Sequence, residues 1–132
     1  MKAQNILLVD DDSDDQMLFI DAIKEIDPAI QCHVANNGLQ AMLSLHTNSP
    51  APGIIFIDLN MPKMNGYECL AEIKKEKHFE NIPIVIYSTS KIESEKERTI
   101  QMGAKHFLTK PPDFSLLIKE LSRILNLELG QE

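Results

Sequence analysis

Asp10, Asp11, Asp58, Ser88, Thr89 and Lys110 stand one or two residues past the end of a short apolar run: ILLV (6–9), IIFI (54–57), IVIY (84–87) or HFLT (106–109). Three carboxylates, two hydroxyls and one ammonium are the groups needed to hold a divalent cation and a phosphoryl group together. Two carboxylates about 4 Å apart repel by roughly 4 kcal/mol at an effective dielectric near 20, so three are relieved by protonation or by a divalent ion. All-oxygen donors suit Mg2+ or Mn2+, which keep several waters and bridge readily to phosphate. A metal alone has no use for the ammonium. A lysine and a hydroxyl beside the ion match the charge on the equatorial oxygens of a phosphoryl group in transfer. A carboxylate such as Asp58 is then a nucleophile able to form an aspartyl phosphate. One condition applies: successive strand residues point to opposite faces, so Asp10 and Asp11 share an ion only if the chain already turns there.

The elements that must position these groups are legible as alternating patterns. The apolar runs are continuous rather than alternating, as in strands buried on both faces, and QCHVA (31–35) is a weaker strand of the same kind. Between the runs lie segments of helical period. Phe19, Ile23 and Ile26 form one face, Met42 and Leu45 a second, Leu70 and Ile73 a third, and Phe114, Leu117, Leu121 and Leu125 a fourth. Ser13-x-x-Gln16, Asn65-x-x-Glu68 and Ser90-x-x-Glu93 have capping-box spacing or come close to it, and Asp113 precedes the last helix as a cap. Residues 91–102 predict a helix whose only strong apolar side chains are Ile92, Ile100 and Met102, hence a weak grip on the core. Strand and helix alternate five times. That order implies a parallel sheet with helices on both faces and right-handed crossovers, and ligands then bind beyond the carboxyl ends of the strands.

Four motifs occur in order at those ends: LLVDDD, IDLNMPKMNG, the hydroxyl in IVIYSTS, and FLTKP, with 30 residues from Asp58 to Ser88 and 22 from Ser88 to Lys110. Over essentially its whole length the chain resembles the receiver domains of two-component response regulators. The resemblance implies a flavodoxin-like doubly wound α/β fold, (βα)5, with five parallel strands in the order 2-1-3-4-5. It makes Asp58 the phosphoacceptor, with Lys110 pairing with the phosphoryl oxygens, Ser88 hydrogen-bonding them and Thr89 beside them. Asp11 would bind Mg2+ directly and Asp10 mainly through water, Asp58 and the backbone carbonyl of Asn60 completing the set, with Mn2+ as an alternative ion. Ser88 and Phe107 would be switch residues, Phe107 following the hydroxyl inward. Asp12, Asp14 and Asp15 read as helix-start residues favoured by the dipole rather than by chemistry. Ser88 stands where Thr is common in the family, and Phe107 where Tyr is common.

The expected function is that of a single-domain response regulator over residues 1–132, core about 4–127, without an effector domain. A sensor histidine kinase or a histidine phosphotransfer protein would supply the phosphoryl group. The chain would catalyse only its own phosphorylation and dephosphorylation, as a cytoplasmic signalling domain rather than a metabolic enzyme. Output would run through protein contact, phosphate relay or a homodimer formed through residues 91–127.

Other classes fit less well. The net charge of −7 opposes a nucleic-acid partner, and no apolar run approaches a bilayer span. Cys32 and Cys69 have no CxxC spacing and read as reduced thiols; the four histidines have no metal-ligand spacing. Asp10-x-Asp12-x-Asp14 imitates a calcium-binding loop, but Asp15 stands where such a loop requires Gly. Asp10-x-Asp12 also resembles the nucleophile motif of haloacid-dehalogenase-type phosphatases, with Asp10 as attacking group. No acidic pair follows the last strand to hold that family's metal. A non-phosphorylated interaction module on the same fold is the third alternative, opposed by the retention of Asp10, Asp11, Asp58 and Lys110.

Overall fold

The structure, a computed structural model, describes residues 4–47 and 50–130. Its elements are β1 (Asn5–Val9), α1 (Ser13–Ile26), β2 (Gln31–Ala35), α2 (Gly38–Thr47), β3 (Ile54–Ile57), α3 (Gly66–Lys75), β4 (Ile84–Ser88), α4 (Glu93–Gln101), β5 (His106–Thr109) and α5 (Phe114–Glu128). The strands form one parallel sheet in the order β2-β1-β3-β4-β5, as the resemblance implies.

Alternation along the strands divides the core in two. Leu7, Val9, Ile55, Ile57, Ile84 and Ile86 face α2 and α3, whose Ala41, Leu45, Cys69, Leu70 and Ile73 close over them. Ile6, Leu8, Ile54, Phe56, Val85 and Tyr87 face α1 and α5, against Phe19, Ile23, Leu117, Leu121 and Leu125. All four residues of β3 have zero exposure. At about 1.5–3 kcal/mol for each fully buried large aliphatic or aromatic side chain, the central strand is the most firmly held part of the sheet. β2 is an edge strand on which only Ala35 is buried, which explains its weak apolar signal. The Cys32 and Cys69 thiols are free, and burial pushes both up to about 12, so neither is reactive near neutrality.

The helix starts follow the expected residues in part. Asn65 and Glu68 form a complete capping box on α3, and the Asp113 carboxylate accepts from Leu116 N–H at 2.8 Å. At α1 the cap is Asp12 rather than Ser13: its Oδ1 accepts from Asp14 and Asp15 N–H at 2.9 and 3.0 Å. Its carboxylate reaches both amides, and Ser13 becomes the first helical residue. α4 has no side-chain cap at all. Ser90 Oγ accepts instead from Ile92 N–H at 3.1 Å, two residues ahead of the N-cap position held by Ile92, and the helix begins at Glu93.

The weak grip of α4 is visible in its burial. Thr99 is its single buried residue, while Ile92 and Ile100 are exposed. The helix is tied sideways to α3 by the Arg98 guanidinium, 4.0 Å from the centroid of the Tyr67 ring. In α5, Leu117, Leu121 and Leu125 are buried as the stripe predicts, whereas Phe114 is 37% exposed because it lies at the helix start, beyond the sheet. The far end of α5 is clamped. Glu128 accepts from Lys105 at 2.9 Å and lies 2.6 Å from the His106 ring, joining the helix to the start of β5.

Candidate functional site

β1 and β3 run in register to Val9 opposite Ile57, so Asp10 and Asp58 leave the sheet side by side. Asp10 N–H donates to Ala35 O at 3.0 Å and Asp58 N–H to Val9 O at 2.9 Å, which fixes both Cα positions. The chain does turn immediately after β1. Asp12 N–H folds back onto Asp10 Oδ1 at 2.9 Å, leaving Asp10 fully buried and Asp11 exposed. The turn satisfies the condition for a shared ion: one carboxylate oxygen from each of Asp10, Asp11 and Asp58 lies within 4.8 Å of the others. Three hard oxygen donors at such spacing fit a small divalent cation.

The loop after β3 completes the floor. Gly66, the first residue of α3, packs so closely that an added Cβ would stand 2.3 Å from Asp58 O and 2.6 Å from Leu59 Cα. Its N–H donates to Leu59 O at 3.1 Å. In the intervening turn Lys63 adopts a left-handed conformation, φ 53°.

Burial is the main cause of the electrostatics. It raises the Asp58 carboxyl to about 6; the charge of Lys110 and a backbone hydrogen bond from Asn60 oppose the rise, and Asp10 and Asp11 add to it. Burial also raises Asp10, against its hydrogen bonds from Lys110 and the Asp12 amide. For Lys110 burial disfavours the charged form, but its hydrogen bonds to Asp10 and Asp15 and the nearby Asp58 outweigh it, holding the ammonium above the ordinary lysine value.

Lys110 divides its contacts unevenly among the acids of the rim. Its backbone N–H donates to Ser88 O at 2.7 Å, aligning the ends of β4 and β5. Its Nζ, however, makes no hydrogen bond to Asp58. It donates to Asp10 Oδ2 at 2.8 Å and Asp15 Oδ2 at 2.7 Å, and lies 5.1 Å from the centroid of the Tyr87 ring. Asp15 is therefore more than a helix-start residue. Gln16 was likewise missed: its Nε2 donates to Asp10 O at 2.6 Å and Asn36 Oδ1 at 2.8 Å, bracing the turn against the loop after β2. Capping-type spacing had pointed to Gln16 for the wrong task. No local spacing links Asp15 to a lysine 95 residues away.

Ser88 is fully buried, its Oγ accepting from Ser90 N–H at 3.1 Å, and Thr89 beside it is exposed. Asn60 is exposed at the rim. Phe107 is half-buried against the first core cluster and lines a cavity of about 160 Å³ with Ile92, Lys96 and Thr109.

An open five-stranded parallel α/β domain with a cation-competent acidic rim and a buried ammonium is a narrow class. Within it, the chain belongs to the response regulator receiver domain family, whose model matches residues 6–122. It is 34% identical to response regulator Rcp1 of Synechocystis over 124 residues, 90% of this chain and 84% of that protein. The Mn(2+)-bound crystal form of Rcp1 superposes with a TM-score of 0.83 at 33% identity, over 98% of this chain and 96% of the other. The phosphorylated cyanobacterial phytochrome response regulator RcpA superposes with a TM-score of 0.88 at 29% identity, over 97% and 95% of the two chains. The chain is also 29% identical, over 96% of its length, to sensor histidine kinase CheAY of Helicobacter pylori, of which it spans 15%.

The domain therefore serves phosphorylation-dependent signalling, and neither the phosphatase reading nor the non-phosphorylated module is favoured. Receiver domains take their phosphoryl group from histidine kinases, bind a divalent metal at the acidic pocket, and are in general signalling domains rather than metabolic enzymes. No helix among the described residues is long and apolar enough to cross a membrane.

Proposed function

We propose that Asp58 accepts a phosphoryl group from the phosphohistidine of a sensor kinase or phosphotransfer protein, and that the receiver domain is residues 1–132 with its core at about 4–127. The carrying observation is the convergence of the Asp10, Asp11 and Asp58 oxygens within 4.8 Å, with the Lys110 ammonium bound to Asp10 at 2.8 Å. Asp58 is the better nucleophile of the two buried acids. Asp10 has one oxygen on the Asp12 amide and the other on Lys110, whereas among the described residues Asp58 accepts from the Asn60 backbone alone.

In the transfer, an Asp58 carboxylate oxygen forms a bond to phosphorus as the phosphorus–nitrogen bond of the donor breaks, and the released imidazole takes up a proton. Asp10, Asp11, Asp58 and the Asn60 carbonyl would hold Mg2+, with Mn2+ able to substitute; the ion supplies charge neutralisation for the carboxylates and the incoming phosphoryl oxygens. Lys110 contributes a further positive charge, Ser88 a hydroxyl donor, and Thr89 a second hydroxyl at the exposed side. Ser88 and Phe107 form the switch, Phe107 moving toward the space vacated when the hydroxyl turns to the phosphoryl group. The protein is a cytoplasmic signalling domain, with output through a protein partner, a relay or a homodimer across residues 91–127.

The test uses Mg2+, acetyl phosphate and intact-mass measurement. The parent gains one phosphoryl group and an Asp58→Asn variant gains none. Label mapped to Asp10 would transfer the nucleophile role to that residue.

A further inference from the structure

We propose that Asp15 is a positioning residue for Lys110, holding its ammonium ready for the phosphoryl group. The inference rests on Asp58 being the phosphoacceptor and deepens that reading. The lysine stem has four flexible carbons and, once freed, many rotamers. Its head is nevertheless confined: the side chain is 10% exposed, and Nζ lies between Asp10 Oδ2 and Asp15 Oδ2 near the Tyr87 ring. An ammonium has three N–H donors. Two are spent on these carboxylates, which leaves one for a phosphoryl oxygen.

The two carboxylates differ in what else they must do. Asp10 belongs to the trio whose oxygens converge, so its contact with Lys110 is shared with whatever occupies the rim. Asp15 stands outside that trio, in the first turn of α1, with 32% side-chain exposure. Its position is fixed independently, since its own N–H is bound to the Asp12 cap at 3.0 Å. Asp15 thus keeps a hold on the ammonium whichever partner Asp10 takes. Without it, Lys110 would settle wholly on Asp10 or swing toward solvent, and the third donor would lose its fixed direction.

A double-mutant cycle on the full chain tests this. With acetyl phosphate and Mg2+, Asp15→Ala and the near-isosteric Asp15→Asn are each expected to slow labelling of Asp58 roughly tenfold, the scale of one charge-assisted hydrogen bond. In a Lys110→Ala background the same changes should have no further effect, because Asp15 acts only through the lysine. A second readout needs neither metal nor donor: the nitrogen NMR signal of the Lys110 ammonium should be protected from exchange in the parent and broadened in Asp15→Asn. Thermal unfolding identifies any variant that has lost its fold. Additive effects across the cycle, an unchanged labelling rate, or an unchanged ammonium signal would each overturn the assignment. A parent that takes no label sinks the acceptor reading and the positioning role with it. A labelled parent whose Asp15 variants behave like wild type sinks only the latter.

Discussion

Asp58 and Asp10 are one residue type in one rim, yet their surroundings give them different states. Asp10 is satisfied at both oxygens, while Asp58 is buried with, among the described residues, a single backbone donor and is raised to about 6. Folding therefore favours protonated Asp58. Its contribution to stability is full below the ordinary carboxylate value and is lost as pH rises from about 4 through about 6. In metal-free protein, Asp58→Asn should then be the more stable form at pH 7.5, by roughly 3 kcal/mol at most, and the difference should shrink toward zero near pH 4. Denaturant unfolding at the two pH values measures it; a difference that does not change with pH would contradict the burial argument. At this scale the sequence was informative where chemistry coincided with a strand end. Asp10, Asp11, Asp58, Ser88 and Lys110 could all be placed at the rim, because continuous apolar runs fix where strands stop. It was silent where a contact depends on helix packing. The Asp15–Lys110 pair exists because the first turn of α1 and the end of β5 meet at the same rim, and nothing in the local pattern encodes that meeting.

The elements were legible to the extent that burial was strong. The runs of β1, β3 and β4 announce themselves, since both faces are covered. β2 reads weakly because it is an edge. Caps were harder, for a specific reason: Asp12 and Ser13 are adjacent capable caps, and only three-dimensional reach decides between them. At Ser90 the same ambiguity resolved toward a turn, leaving α4 uncapped with one buried residue. The element contact that matters most for the site is α3 against the end of β3. Gly66→Ala places a methyl 2.3 Å from a carbonyl oxygen, an overlap that backbone atoms cannot relieve by rotation. The expected cost is about 1–3 kcal/mol or more, together with slower phosphorylation, because the displaced segment carries Asp58. Urea unfolding and the acetyl phosphate assay check both halves. Stability preserved at the parent level would mean that α3 sits further from β3 than described.

For the molecule as a whole, the rim is a local concentration of like charge on a chain already at −7. An ion that binds the folded rim and not the unfolded chain stabilises the fold by mass action, by about 2.7 kcal/mol at a hundred times its dissociation constant. Mg2+ should therefore raise the melting temperature of the parent. The increment should be larger at pH 7.5 than at pH 5, where protons compete for Asp58, and should largely vanish in Asp11→Ala. Calorimetric scans at two pH values and several Mg2+ concentrations decide this; an increment indifferent to Asp11 would place the ion elsewhere. Signalling sets a larger demand, since moving a two-state population from 1:99 to 99:1 takes about 5.5 kcal/mol of preference. The parallel layout and the acidic rim followed from alternation and strand ends, whereas the lateral ties that hold α4, such as Arg98 over Tyr67, did not, because stacked cations leave no periodic trace.

The four sealed residues of β3 carry a mechanical corollary. Under the proposed role of Asp58, a dianion arriving above it would find beneath it a floor packed on both sides, which gives way to nothing. Whatever rearrangement the new charge provokes must travel outward over the lip of the sheet, through Ser88 and the strand tied to it by the Lys110 amide, rather than down through the sealed centre of the sheet.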